Sequence, residues 1–323
     1  MPRVLVTGAS GFIGRHLVPA LRKEGYRVRA ALRATVPGAW DDAWVVGDIG
    51  PTTDWAPALE EVDYVVHLAA LAHRSPREEP QLGLAYHHVN AEGTWRLAEA
   101  ARVAGVRRVV LMSSVAVTGS SALTRVDGAT PPAPDTPYGR SKADAEAGLA
   151  ERLAGGRTDW CTLRPPLVYG RDNPGNMARL LRLLRVPVPL PLASIGNRRS
   201  FCFVGNLTSA VCAVLTHPAV GRQVFTVCDA EVVSTTDLLC LLGRVSGRPV
   251  RLFRVPRPAL GAAALVGDLL ARLVGHEVGL DSHALGRLTG SLEVDGSALR
   301  DILPWHPPYT LEEGLRLTLA GPS

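Results

Sequence analysis

The sequence predicts an α/β fold of the Rossmann type, a doubly wound parallel sheet with a smaller C-terminal substrate-binding domain. The first half alternates short apolar runs with segments of helical periodicity, and a glycine-rich turn follows the first apolar run. After about residue 165 this alternation loosens and prolines cluster. We therefore expect a dinucleotide-binding Rossmann domain over 1–165, completed by parts of 200–230, and a mostly substrate-binding domain over 166–323, which the family resemblance given below identifies as nucleotide-sugar-binding.

The individual elements follow from hydrophobic periodicity. Short apolar runs predict strands, and apolar residues at helical spacing predict helices. With right-handed crossovers these strands form one sheet that binds ligands at its carboxyl edge. Phe201–Thr216 and Gln223–Cys228 are candidates to return to this sheet. In chain order we expect strand Arg3–Thr7, helix Phe12–Lys23, strands Val28–Leu32, Trp44–Val46 and Val62–Leu68, helix Leu84–Ala104, strand Arg108–Met112, helix Pro137–Leu153 and strand Trp160–Leu163.

The composition is that of a globular protein with a substantial core. The 323 residues are 46% hydrophobic and 20% charged, with a formal net charge of +5. A basic excess fits nucleic acid, an anionic membrane surface or a phosphorylated small molecule. Because no Lys/Arg run or aromatic-interleaved basic patch of nucleic-acid type is present, a phosphorylated substrate is the simplest interpretation.

The cysteines and apolar segments indicate a cytoplasmic protein without a metal site. Five cysteines show no C-x-x-C pair and no histidine at zinc spacing, which suits a reducing compartment. The N-terminus runs directly into a strand, leaving no room for a signal peptide. Asp268 and Arg272 interrupt the most apolar stretch, Ala259–Val274, so we interpret it as a buried amphipathic helix rather than a membrane span.

The turn after the first strand has the spacing G-x-x-G-x-x-G. Gly8 permits a tight turn, Gly11 lets backbone amides approach a pyrophosphate at a helix N-terminus, and Gly14 allows close helix–strand packing. A glycine trio alone is weak evidence, but its place at the start of a βαβ unit favours dinucleotide binding. The predicted cofactor contacts of this turn are Gly8, Ser10, Gly11, Phe12, Ile13 and Gly14.

The end of the second strand bears on the choice between NAD and NADP. An acid there would bind the ribose 2′-hydroxyl of NAD, but this chain has Leu32 followed by Arg33. An arginine can pair with the 2′-phosphate of NADP, so NADP is favoured and NAD remains possible. The alternative for Arg33 is a solvated loop residue. Asp48 follows the third strand and either accepts a bond from the adenine amino group or caps a turn.

Small residues follow the fourth strand. His67 is followed by Leu68, Ala69 and Ala70, which leave room for the dinucleotide to cross the sheet edge. We interpret His67 itself as a hydrogen-bonded core histidine rather than a catalytic group.

Tyr138, Lys142 and Ser114 are the candidate catalytic residues. Thr136 is a plausible helix N-cap, and Tyr138 and Lys142 then lie on one helical face at i and i+4. A nearby ammonium stabilises phenolate, so we expect Lys142 to lower the pKa of Tyr138 from about 10 toward neutrality. Such a tyrosine can exchange a proton with a sugar hydroxyl during hydride transfer. Ser114, at the end of a strand, can hydrogen-bond the same oxygen.

Taken together, these motifs resemble those of the extended short-chain dehydrogenases that act on nucleotide sugars. Within that family the chain is most similar to bacterial UDP-hexose 4-epimerases and UDP-4-keto-hexose 4-reductases of surface-polysaccharide pathways. The resemblance covers nearly the whole chain. Its pieces, besides the glycine turn, are Gly47-Asp48-Ile49, His67–Ala70, Val89–Thr94, Ser113-Ser114, Tyr138–Lys142, Leu163–Gly170, Asn197–Phe201 and Trp305–Tyr309.

The resemblance implies an NAD(P) cofactor, a UDP-sugar substrate and a homodimer formed through the helices Leu84–Ala104 and Pro137–Leu153. It also implies that Asn90 supports the active site through a backbone contact and that Pro165 lies beside the nicotinamide. The further residues it implies are Ile49, Leu68, Ala69 and Ala70 for the cofactor and His73, Asn176, Arg199 and Arg287 for the nucleotide sugar.

Two departures from the family pattern narrow the reaction. Val115 and Ala116 stand where sugar-nucleotide dehydratases carry an acidic pair, so water elimination lacks its acid and base. Leu32 and Arg33 replace the acid of NAD-bound epimerases, which favours a reductase that exchanges NADP. We therefore expect 4-keto reduction, with a UDP-hexose 4-epimerase that retains NAD as the alternative. A non-catalytic nucleotide sensor is a distant third, because such sensors typically lose the tyrosine–lysine pair.

Overall fold

A computed structural model describes residues 1–72, 82–119, 125–173, 189–256, 258–262, 265 and 282–320. Its centre is a seven-stranded sheet whose neighbouring strands are all parallel, in the order β10-β7-β5-β4-β1-β2-β3. The predicted Rossmann-type α/β fold is therefore present. The strands are β1 (Arg3–Thr7), β2 (Arg27–Leu32), β3 (Asp42–Val45), β4 (Tyr64–His67), β5 (Arg108–Met112), β7 (Asp159–Arg164) and β10 (Gln223–Thr226).

The sheet is buried on both faces by helices. Because side chains alternate along a strand, Val4 and Val6 of β1 enter one core cluster while Leu5 enters another. The first cluster is covered by α1 (Phe12–Lys23) and α5 (Val204–Thr216). The second is covered by α3 (Gly93–Val103) and α4 (Pro137–Arg152). This sandwich leaves the carboxyl edge of the sheet as the place where loops can build a site.

The segment 82–103 is helical throughout but is not one regular α-helix. A short helix α2 (Leu82–Tyr86) leads into a π-helical segment (His87–Glu92), which leads into α3. The long helix expected over Leu84–Ala104 is therefore present, but it contains a π-helical segment that hydrophobic periodicity does not reveal over only six residues. Single π-helical turns occur frequently at functional sites.

A second, smaller layer lies beyond the main sheet. Strands β8 (Leu167–Tyr169), β9 (Arg199–Phe203) and β11 (Val232–Val233) form a three-stranded sheet, and β6 (Arg125–Val126) pairs with β12 (Glu293–Val294). Both segments expected to return to the main sheet contact it: β10 pairs with β7, and α5, the main part of Phe201–Thr216, packs on one sheet face. The strand β9 does not join the main sheet, because its partners are β8 and β11. Helices α6 (Thr235–Val245), α7 (Ser282–Thr289) and α9 (Leu311–Leu319) complete this part, whereas α8 (Ser297–Ile302) packs on β10 and enters the core of the main sheet.

A buried carboxylate joins β9 to the helix that follows it. Asp229, 2% exposed, accepts hydrogen bonds from the backbone N–H of Phe203 at 2.8 Å and from Nδ2 of Asn206 at 2.7 Å. Burial raises the pKa of Asp229 to about 6, although both hydrogen bonds act in the opposite direction. The interior therefore holds an acid that binds its proton more tightly than usual.

Within the described ranges, no helix has the length and apolar character needed to cross a membrane. Most of the predicted amphipathic helix Ala259–Val274 lies outside those ranges.

Candidate active site

The glycine turn is shaped for a close approach of backbone and ligand. Gly8 has φ +68, and a Cβ atom there would lie 2.8 Å from the backbone nitrogen of Ala69. At Gly14 a Cβ would lie 2.6 Å from Cα of Ala9 and would also meet the carbonyl oxygen of Gly8. Side chains are thus excluded at both positions, as the sequence predicted, because β1, α1 and the loop after β4 meet there.

The turn fits the diphosphate of a dinucleotide. Gly11 is the N-cap of α1 and supplies no side-chain hydrogen bond, so the first amides of the helix are available to an anion. A cavity of about 230 Å³ opens at this point. It is lined by Ser10, Gly11, Phe12, Arg15, His16 and Asp172. A positively polarised helix end inside a cavity is what a pyrophosphate requires, so these residues suit the cofactor.

Arg33 and Asp48 meet at the carboxyl ends of β2 and β3. Leu32 is 3% exposed and belongs to the core, whereas the Arg33 side chain is 80% exposed. One guanidinium nitrogen of Arg33 lies 3.8 Å from the Asp48 carboxylate. An anion beside the guanidinium opposes the approach of a 2′-phosphate, which counts against the expected preference for NADP.

His67 lies in a buried chain of hydrogen bonds that fixes its tautomer. The Thr94 hydroxyl donates to the carbonyl oxygen of Asn90 at 2.6 Å, so it must accept from Nε2 of His67, 3.0 Å away. Nδ1 of His67 therefore accepts from the hydroxyl of Thr7 at 2.7 Å, and that hydroxyl accepts from the backbone N–H of Ala69 at 3.1 Å.

This chain holds His67 in the neutral form. Burial lowers the pKa of His67 to about 3, and the nearby Lys142 ammonium acts in the same direction. With both ring nitrogens occupied, His67 is a structural group that positions the loop after β4.

Asn90 connects that loop to helix α4. Its Oδ1 accepts from the backbone N–H of Leu71 at 2.7 Å, and its Nδ2 donates to the Leu71 carbonyl and to Oγ of Ser141, each at 3.0 Å. Ser141 donates in turn to the carbonyl of Tyr138 at 2.8 Å. The π-helical segment thus carries a residue that links the cofactor edge of the sheet to the first turn of α4.

Ser114 is positioned by the loop that follows β5. Its Oγ accepts from the backbone N–H of Ala116 at 3.1 Å and caps the short 3₁₀ helix Val115–Thr118. The backbone N–H of Val115 donates to the carbonyl of Pro165 at 3.1 Å, which ties this loop to the one after β7. Ser114 and Pro165 therefore lie side by side at the carboxyl edge of the sheet.

Tyr138 begins helix α4 next to Ser114. The Thr136 hydroxyl caps the helix by accepting from the backbone N–H of Gly139 at 3.0 Å, as predicted. Burial raises the pKa of Tyr138 to about 12, while a hydrogen bond with Ser114 acts in the opposite direction. The Tyr138 ring also packs edge-on against Tyr86, with ring centroids 5.9 Å apart.

The expectation that Lys142 brings the pKa of Tyr138 toward neutrality is wrong for this structure. Burial of the phenol dominates, and Ser114 rather than the ammonium opposes it. Lys142 is only 2% exposed, and burial lowers its own pKa to about 8, although Glu146 acts in the opposite direction. Near neutral pH the phenol is protonated, and the site is prepared to donate a proton.

Glu146 and Arg164 form a buried ion pair that sequence reasoning did not find. They are 7% and 3% exposed, and Nη2 of Arg164 lies 2.6 Å from Oε2 of Glu146, with Nε 3.0 Å from Oε1. The pair lies one helical turn beyond Lys142 and joins α4 to β7. Its only sequence signal is the i+4 spacing of Glu146 from Lys142, which suggests a different pairing.

The predicted sugar-binding residues are only partly described. His73 and Asn176 lie outside the described residues, as does the side chain of Arg287, whose backbone belongs to α7. Arg199 begins β9, is partly buried, and has its pKa lowered by that burial. Ile49 is partly buried beside Gly93, and Leu68, Ala69 and Ala70 are partly exposed at the carboxyl edge. Across the described ranges, no group of three or more His, Cys, Asp or Glu is placed to hold a metal ion.

Comparison with known proteins yields consistent matches along the chain. Residues 4–228 match the model of the NAD dependent epimerase/dehydratase family. The chain is 35% identical to a UDP-glucose 4-epimerase of Vibrio cholerae, covering 98% of this chain and 95% of the relative. It is 26% identical to an N-acetyl-alpha-D-glucosaminyl-diphospho-ditrans,octacis-undecaprenol 4-epimerase of Escherichia coli O157:H7, covering 98% and 94%.

A solved structure shares the fold along almost the whole chain. MoeE5 in complex with UDP-glucuronic acid and NAD is 27% identical, with a TM-score of 0.75 and coverage of 98% of this chain and 97% of that one.

Proposed function

Because the chain belongs to the NAD-dependent epimerase/dehydratase family, we propose that it is an enzyme that epimerises a UDP-hexose at C4. The observation that carries the proposal is that Ser114, Tyr138 and the buried Lys142 come together at the carboxyl edge of the sheet. The glycine turn at the same edge fits the diphosphate of the cofactor. This order reverses the sequence-based preference for 4-keto reduction, because the two relatives named above are 4-epimerases.

The substrate class follows from what the two relatives have in common. Their names describe a hexose joined to a diphosphate, which carries uridine in one case and a polyprenol in the other. Arg199 is the described residue that we assign to the diphosphate, with His73, Asn176 and Arg287 as further predicted contacts. An arginine presents a planar fork that matches phosphate oxygens.

In the proposed mechanism Tyr138 moves the proton at the C4 oxygen. Bound nicotinamide would supply hydride acceptance and return at C4. The deprotonated form of Tyr138 accepts the proton of the C4 hydroxyl at Oη and later returns it, so this step requires prior loss of the phenol proton, whose pKa burial raises to about 12. Ser114 can hydrogen-bond the phenolate oxygen and stabilise its charge. Lys142 is a buried cation one helical turn from Tyr138. Val115 and Ala116 offer no acid or base, so the sugar loses no water and keeps its hydroxyl groups.

Substitution of Tyr138 tests this mechanism. Tyr138→Phe should reduce C4 conversion of UDP-glucose or UDP-N-acetylglucosamine by at least about 100-fold, a typical acid–base contribution, while cofactor binding measured by fluorescence is unchanged. Cys240→Ser, an exposed position on α6, is the matched control. Full activity of the Tyr138 variant would exclude the mechanism.

A second candidate is 4-keto reduction with NADPH, which two observations favour although Asp48 beside Arg33 opposes a 2′-phosphate. Leu32 offers no carboxylate to a ribose 2′-hydroxyl, and the protonated Tyr138 is ready to donate to a keto oxygen. Arg33→Ala should then weaken NADPH binding much more than NADH binding. Consumption of free NADPH by a 4-keto-6-deoxy sugar supports the reductase, whereas NAD that co-purifies with the protein and interconversion of C4 epimers support the epimerase.

We also propose a homodimer. Leu84 of α2 and Val103 at the end of α3 are 77% and 80% exposed, which places apolar surface beside the helices predicted to form the interface. Light scattering after size-exclusion chromatography should give twice the mass of the chain, and a monomer mass would contradict this assignment.

A further inference from the structure

The excess charge of the protein is concentrated in one segment. Residues 238–267 contain five arginines and no Asp or Glu, while the whole chain has a formal net charge of only +5. The remaining Lys and Arg residues therefore balance the acids elsewhere. The five are Arg244, Arg248, Arg251, Arg254 and Arg257.

Backbone pairing fixes which side chains of this segment face outward. The backbone N–H of Leu190 donates to the carbonyl of Arg251 at 2.9 Å, and that of Phe253 donates to the carbonyl of Leu190 at 3.0 Å. Leu252 packs with Leu192 and Ile195 in a small core cluster. Because side chains alternate along an extended chain, Arg251 and Phe253 project from the opposite side.

We define a basic-aromatic strip by exposure as Arg248, Arg251, Phe253 and Arg254, of which alternation places Arg251 and Phe253 on the side opposite Leu252. The three arginines are exposed, and the Phe253 ring is 47% exposed. Among residues with described positions, none forms an ion pair with any of these arginines. By contrast, Arg198 binds Glu293 at 2.7 Å in the same layer. The strip therefore presents positive charge together with an apolar ring.

We propose that the basic-aromatic strip docks on an anionic phospholipid surface. This inference goes beyond the proposed reaction and does not depend on it. Arginines near a membrane are attracted to anionic headgroups, and an aromatic ring between them can enter the headgroup–acyl boundary. A single exposed ring offers little stacking to a nucleic acid, which needs successive aromatic side chains for successive bases. A bilayer needs no such repeat.

Vesicle sedimentation with the full chain tests the inference. The protein should sediment with vesicles of phosphatidylcholine and phosphatidylglycerol but not with phosphatidylcholine alone. Binding should fall steeply with salt, because the screening length shrinks from about 30 Å at 0.01 M to about 3 Å at 1 M. Equal binding to both vesicle types, or stronger binding to a single-stranded oligonucleotide than to the anionic vesicles, would overturn the proposal.

Two variants with the same net charge test whether vesicle binding depends on the basic-aromatic strip or on the net charge of the protein. The variant Arg248→Gln/Arg251→Gln/Arg254→Gln should bind anionic vesicles on the order of 100-fold more weakly, about fivefold for each arginine. The variant Arg27→Gln/Arg102→Gln/Arg157→Gln removes the same charge from exposed positions toward the amino edge of the seven-stranded sheet, outside the strip. It should bind anionic vesicles as the wild type does.

A substitution of Phe253 tests how much the aromatic ring contributes to vesicle binding in addition to the arginine charges. Phe253→Ser should retain salt-sensitive binding but with reduced affinity. Equal losses in the two triple variants would assign binding to net charge and contradict the inference. All variants should melt within a few degrees of the wild type, since the substituted side chains are exposed.

Discussion

Replacing Glu146 with glutamine should destabilise the protein strongly. Glu146 and Arg164 are 7% and 3% exposed and share hydrogen bonds of 2.6 to 3.2 Å. Glutamine has nearly the same shape, so the change removes the charge and leaves little cavity. The guanidinium of Arg164 would then remain buried with neutral acceptors only, the new amide oxygen and the carbonyl of Thr130 3.0 Å away, and would lose its counter-charge.

The expected magnitude follows from this uncompensated charge. Removing one partner of a buried ion pair typically costs about 3–5 kcal/mol. For a chain of this size that corresponds to a fall in melting temperature of roughly 5–10 °C. The same change should lower the pKa of Lys142 further, because Glu146 is the group that raises it.

Urea unfolding followed by circular dichroism measures the cost. Glu312→Gln is the matched control: Glu312 pairs with Arg316 at 2.5 Å, but the two side chains are 37% and 63% exposed, so its cost should stay below about 1 kcal/mol. Glu146→Gln/Arg164→Met should recover much of the loss, because neither member of the pair is then a buried charge. If Glu146→Gln costs no more than Glu312→Gln, the reasoning about burial is refuted.

Two further predictions concern the turn and the buried acid. Gly14→Ala should cost about 1–3 kcal/mol of stability and weaken NAD binding, because its Cβ would meet Ala9 and Gly8. In the control Gly83→Ala the new Cβ has nothing within 4 Å, so that variant should be neutral or stabilising in thermal melts. Similar melting temperatures for the two variants would contradict the predicted clash at Gly14. Asp229, with a folded pKa of about 6 above its usual 3.8, binds its proton more tightly when folded, so the free energy of unfolding should fall by roughly 3 kcal/mol as pH rises from about 4 to about 6. Asp229→Asn should remove that slope in urea titrations, and parallel pH curves for variant and wild type would disprove the assignment.

Local sequence patterns predicted the glycine turn after β1 and the start of helix α4. The tight turn at Gly8 and the close packing at Gly14 follow from residue type and from a position between a strand and a helix. The cap at Thr136 likewise depends only on neighbouring residues. Tyr138 and Ser114 lie in one site because the carboxyl ends of parallel strands meet at the same edge.

Features that depend on distant contacts escaped prediction. The pairing of β9 with β8 and β11 is set by tertiary packing, and the sequence of β9 is apolar enough for either sheet. The π-helical winding around Asn90 depends on its bonds to Leu71 and Ser141. The pKa of Tyr138 was predicted from a neighbouring charge, but burial, which periodicity does not quantify, has the larger effect.

The late position of β10 in the chain has a consequence for synthesis on the ribosome. β7 ends at Arg164, but its outer neighbour is completed only at Thr226. At about 5–20 residues per second, the nascent chain displays an unpaired apolar strand edge for roughly 3–12 s. Chaperone capture or mispairing during translation should therefore concentrate in that interval, and ribosome pausing between these two strands would lengthen the exposure.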